Sequence, residues 1–109
     1  MLTQKKQLLF EKQAEIAKAI AHPLRIAILD FLKDGEQCVC DIAEHLGANR
    51  SNVSRHLALM HQAGVVQFRK EGLMVFYSLR TRCVLNFLSC SARVLKTEVA
   101  ADAALLERA

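Results

Sequence analysis

Across residues 3 to 21, Leu9, Phe10, Ile16, Ala17 and Ile20 recur among Lys, Gln and Glu at helical rather than alternating spacing. His22-Pro23 interrupts that helix, because the residue before a proline is pushed out of the α region. Pro23 suits the first turn of the next helix, which carries Leu24, Ile28, Leu29 and Leu32 and stops at Gly35. Asp41 followed by Glu44 resembles a capping box, which makes Asp41 the expected N-cap of a short helix ending at Gly47. Asn49 can cap a further helix over residues 50 to 63, stopped by Gly64. Beyond Gly64 the period changes from 3.6 to 2. Residues 65 to 70 and 73 to 79 are rich in β-branched and aromatic side chains and flank Glu71-Gly72, which predicts a β-hairpin. A last helix is expected from about Arg82 onward.

Two short helices joined by the tight Gly47-Ala48-Asn49 turn are a helix-turn-helix signature. The predicted fold is therefore mainly α with a β-hairpin. It is a winged helix-turn-helix with one helix added at each end, in a single domain over residues 1–109. Residues 41–63 form the helix-turn-helix and 65–79 the wing. Residues 1–21 and 82–109 are read as dimerisation helices. In the last of these, Val84, Leu85, Phe87, Leu88, Val94, Leu95, Val99, Leu105 and Leu106 spread around the helix, more apolar surface than one small unit covers. A two-fold dimer would present two reading heads to a palindromic site.

With 109 residues, 52% of them hydrophobic and 24% charged, the chain has the means to bury a core. The longest apolar run, Leu73 to Tyr77, is far short of the ~18 residues a membrane span needs. The first residues lead into no secretory apolar region, so the expected location is cytoplasmic, with the four cysteines reduced. The net charge of +4 is unevenly spread. Residues 1 to 49 balance at −1 and residues 83 to 109 at zero. Residues 50 to 82 carry Arg50, Arg55, Arg69, Lys70, Arg80 and Arg82 against Glu71 alone, an excess of +5. A solvated face mixes signs, whereas this third suits a polyanion.

In a helix-turn-helix the second helix enters the major groove with its first turns on base edges. Arg50, Ser51, Ser54 and Arg55 share one face of that helix, while Val53, Leu57 and Met60 fall on the other and pack inward. Arg reads guanine bidentately, and Ser51, Asn52 and Ser54 suit base edges or phosphates. His56 is expected as a phosphate contact and His61 is left unassigned. Arg69 and Lys70, near the hairpin tip, are expected to straddle the minor groove or the backbone.

Cys38-Val39-Cys40 precedes Asp41. Thiols at a helix start feel its positive end, which lowers their pKa and favours soft metals. Side chains at i and i+2 diverge by about 200° on a helix but share a face on an extended segment. One ion held by both thiols therefore favours an extended or distorted segment, which would bear on the first helix of the reader. The plainer alternative is a pair of small buried side chains. Cys83 and Cys90 are spaced i, i+7, one face of the last helix; packing is their expected role, and a further metal ligand across a dimer the alternative.

In combination, Cys38-Val39-Cys40-Asp41-Ile42-Ala43, Asn52-Val53-Ser54-Arg55-His56-Leu57, Gly64 through Gly72, and His22-Pro23-Leu24-Arg25 resemble the ArsR/SmtB family of metal-sensing repressors, over roughly residues 20 to 80. The resemblance implies a homodimeric repressor that holds operator DNA when empty and releases it on binding a metal or metalloid. It implies that Cys38 and Cys40 bind thiophilic ions. Three departures shape the expectation. Ala43 stands where arsenite sensors often have a further cysteine, no cysteine precedes Cys38, and residues 81 to 109 contain no histidine for a zinc site on the last helix. As(III)/Sb(III) is the expected inducer, with Cd(II)/Pb(II) the alternative. Arg50 and Arg55 replace residues that relatives often have as Gln and His.

A thiol-redox repressor of the same fold is the main rival. A thiol enzyme is disfavoured because C-x-C is not C-x-x-C and no general base is placed beside it; the expectation is no enzyme. A protein–protein adaptor would not need the basic third of the chain.

Overall fold

The structure, a computed structural model, describes residues 3–108, with the side chains of Leu106 and Arg108 outside the description. Helix α1 (Gln4–Ile20) starts at Thr3, whose Oγ1 accepts from the Lys6 amide at 3.2 Å. Helix α2 (Pro23–Phe31) has Pro23 in its first turn and His22 as N-cap, with Nδ1 accepting from the Leu24 amide at 3.0 Å. A 3-10 turn (Leu32–Asp34) leads to strand β1 (Gln37–Cys38) and helix α3 (Val39–Leu46). Gly47 ends α3 in the left-handed region (φ 61°), which a glycine enters without steric penalty. Asn49 then caps α4 (Arg50–Gln62), its Oδ1 accepting from the amides of Ser51 and Asn52 at 2.8 and 3.2 Å. Strands β2 (Val66–Glu71) and β3 (Met74–Leu79) and the long helix α5 (Val84–Arg108) complete the chain.

This is the expected mainly helical winged architecture, with two corrections. The thiol helix starts earlier than the capping box suggested. Cys38, not Asp41, is its N-cap. The sheet also has three strands rather than two, in the order β1-β3-β2, both pairings antiparallel. A two-residue strand has no periodicity to detect, so β1 left no signal in the sequence. In the wing, Glu71 pairs with Met74, and a two-residue turn, Gly72-Leu73, carries its positive φ (61°) on the glycine.

The core lies where α2, α3, α4 and the sheet meet. Ile28, Leu29 and Leu32 meet Ile42, Val53, Leu57, Met60, Val65 and Val66, all fully buried. The inward face read for α4 is thus in place. The terminal helices behave differently. Leu8, Leu9 and Phe10 of α1 and Phe87, Val94, Leu95, Val99 and Leu105 of α5 are exposed. The radius of gyration is 17.2 Å, against about 13 Å for a compact chain of this length. No helix among the described residues is long and apolar enough to cross a membrane.

Candidate DNA-reading face and thiol site

Helix α4 turns its buried side, Val53, Leu57 and Met60, into the core, and that fixes what faces out. Arg50, Ser51, Ser54 and Arg55 are exposed along the opposite side, and Asn52 is half-buried at its edge. Asn52 Oδ1 accepts from Arg55 Nη2 at 2.7 Å, a bond within one turn that holds the guanidinium against the helix.

His56 does not join this row. It is only 9% exposed, and its Nδ1 accepts from Arg25 Nε at 3.0 Å. Its ring lies 4.6 Å from that of His22. Arg25 also donates from Nη1 to the carbonyls of Lys18 and Ala19 at 3.3 and 3.4 Å, so it ties α1, α2 and α4 together. Burial, then the cations of His22, Arg25 and Arg55, hold the His56 pKa below the ordinary histidine value. The expected phosphate contact at His56 is replaced by a structural one: a single step beyond Arg55 turns the side chain inward.

The wing also divides its two cations. Arg69 is bound by Glu36, with Nε donating at 3.0 and 2.9 Å and Nη2 at 2.5 Å, and by Glu71 at 2.7 Å from Nη1. Its guanidinium lies 4.6 Å over the Phe76 ring. Bonding to Arg69 holds the Glu36 carboxyl below the usual carboxylate range. Arg69 is thus a strap across the sheet rather than a free cation. Lys70 is exposed, and among the described residues no carboxylate pairs with it. Glu36, counted with the first third of the chain, sits on the wing.

The thiols of Cys38 and Cys40 meet, with Sγ atoms 2.8 Å apart. Cys38 is extended (φ −76°, ψ 157°) as the residue outside the helix, and this break from helical geometry is what lets i and i+2 converge. Cys38 is buried and Cys40 half-buried. Cys38 Sγ accepts from the Asp41 amide at 3.3 Å, so the sulfur is itself the helix cap. Contrary to the expectation from the helix end, the Cys38 pKa is raised. Burial and the bond to Cys40 outweigh the Asp41 N–H. One donor atom each from Cys38, Cys40 and Asp41 lies within 4.8 Å of the others, a donor set that fits a soft or borderline ion.

A cavity of about 220 Å³ opens beside the pair, and Arg50 and Ser54 of α4 share its wall with Cys38 and Cys40. Cys83 lies one residue before α5 rather than on it, and both it and Cys90 are exposed. Neither joins the thiol cluster found among the described residues.

A family model described as "Bacterial regulatory protein, arsR family" matches residues 22–67. The transcriptional repressor SdpR of Bacillus subtilis is 41% identical over 81 residues, spanning 68% of this chain and 90% of the repressor. The arsenical resistance operon repressor of Escherichia coli is 38% identical over 66 residues, 60% of this chain and 56% of that protein. A CadC homolog of Staphylococcus aureus, a cadmium resistance regulatory protein, is 39% identical over 67 residues, 61% and 55%. Among solved structures, the homodimeric winged helix-turn-helix DNA-binding domain of Mb0332 from Mycobacterium bovis superposes with a TM-score of 0.78 at 28% identity, covering 90% of this chain and 91% of that one.

Proposed function

The chain belongs to the arsR family of bacterial transcriptional regulators, and from that premise we propose that it is a homodimeric repressor which releases operator DNA when As(III) or Sb(III) binds Cys38 and Cys40. The observation that carries this reading is the shared wall. The thiol pair and the exposed side of α4 border one cavity. Cys38 Sγ also caps α3, the helix that packs on α4. An ion held by both sulfurs acts on the seat of the reading helix, and a ligand shifts an equilibrium only through such a difference between states.

Arg50, Ser51, Asn52, Ser54 and Arg55 are the proposed major-groove contacts, and Lys70 the wing's phosphate contact. Residues 1–21 and 82–109 carry the dimer, which supports two reading heads on a palindromic site. The exposed apolar side chains of α1 and α5 and the homodimeric Mycobacterium bovis neighbour support that arrangement. Asp41, a carboxylate within reach of both thiols, favours a second reading in which Cd(II) or Pb(II) is the inducer.

The test is a mobility-shift titration of the DNA upstream of the chain's own gene, under reducing conditions, with As(III), Sb(III), Cd(II), Pb(II), Zn(II) and peroxide in separate arms. As(III) is expected to release the DNA from the wild type and to leave Cys38→Ser and Cys40→Ser bound. Release by peroxide alone, or an undiminished response to As(III) in both variants, overturns the reading.

A further inference from the structure

A third sulfur-bearing residue borders the thiol cavity. Met74, the first residue of β3, lines it together with Cys38 and Cys40. Sheet register gives the same placement independently. Cys38 pairs with Phe76, and partners directly opposite share a face. Met74 stands two residues before Phe76 and so lies on that same face. Extending the β1–β3 register by two residues brings position 40 opposite Met74; the chain turns into α3 there, which leaves Cys40 and Met74 on two sides of one cavity.

We propose that Met74 is a third soft donor to this site, which makes it a three-sulfur site for a monovalent soft ion of the Cu(I) or Ag(I) type. The proposal rests on the reading of Cys38 and Cys40 as ligands and adds an ion class to it. A thioether is neutral, polarizable and soft, and thiolate with thioether is the donor combination that selects Cu(I). Two thiolates, one thioether and a monovalent ion carry a net charge of −1. Arg50, in the same wall, offsets that charge in part, the Asp41 carboxylate beside the thiols adding a further negative charge. Exposure fits ready entry of an ion: Met74 is 45% exposed at the rim while Cys38 is buried at the base.

The test is a titration of the reduced full-length chain with Cu(I), generated with ascorbate and held by bicinchoninate as competing chelator. It is paired with copper-edge X-ray absorption to count sulfur neighbours. Met74→Leu preserves side-chain volume and removes only the sulfur. It is expected to weaken Cu(I) binding on the order of tenfold, the size of loss seen when a metal site loses part of its support. The sulfur shell should fall from three to two, with As(III) binding unchanged. Equal Cu(I) affinity in wild type and Met74→Leu, or two sulfurs in the wild type, overturns the proposal. Failure of As(III) to bind while Cu(I) does so with three sulfurs would count against the metalloid reading and for this one.

Discussion

The reading helix and the wing hold the same kind of charge by different means. On α4, Arg55 bonds, among the described residues, to Asn52 alone, one turn away in its own helix, and stays on the exposed side. On the wing, Arg69 is gripped by Glu36, 33 residues distant in sequence, and by Glu71, while its plane covers Phe76. A count of charges along the chain treats the two alike. The fold leaves one available to a polyanion and consumes the other in joining β2 across β3 to the segment before β1. Clustered charge therefore locates a surface, and only the partners of each cation say which of its members can leave for a phosphate.

The largest expected effect lies on the hidden side of the reading helix. Leu57→Ala opens a cavity under α4 and should cost about 2–5 kcal/mol of stability. Chemical denaturation measures it, and a loss below about 1 kcal/mol would mean that α4 is not seated by its core face. Next is Arg55→Ala, expected to weaken DNA binding by about 1–3 kcal/mol and to leave the fold intact, as read by fluorescence anisotropy at several salt concentrations. Arg69→Ala should change DNA affinity less than about threefold, because its charge is already matched. The change should appear in faster amide exchange in β2 and β3. If Arg69→Ala harms DNA binding as much as Arg55→Ala, the contrast between helix and wing fails.

The smallest effect is a pH slope. The folded pKa of His56 is depressed, so between that value and the unfolded value of about 6.5 the unfolded chain holds a proton that the folded one refuses. Stability should be level with respect to this group above about pH 6.5 and fall as the pH drops below it, by at most one proton's worth. A denaturation midpoint followed from pH 8 to 5 measures the slope. In the same samples, NMR should show His56 titrating below the ordinary histidine value.

Much of the architecture was legible because punctuation is local. Pro23, Gly47, Asn49 and Gly72 act within one turn of where they stand, and the inward row Val53, Leu57, Met60 follows from helical period alone. What escaped depended on distance. Glu36 with Arg69 and Arg25 with His56 are partnered across 33 and 31 residues, and no pattern within a window shows them. The thiol pair falls between these cases. The sequence ties its convergence to a departure from helical geometry only on the condition that both thiols hold one ion, and it carries no sign of the raised Cys38 pKa, because burial is set by how β1 lies on β3.

The bare arms at the two ends of the chain bear on how much protein must be present before it works. If a second copy covers Leu9, Phe10, Leu95 and Val99, folding and association share one equilibrium, and dilution acts as a denaturant. The thermal midpoint would then climb with protein concentration. A newly made molecule would gain its full stability only once enough of its siblings had accumulated.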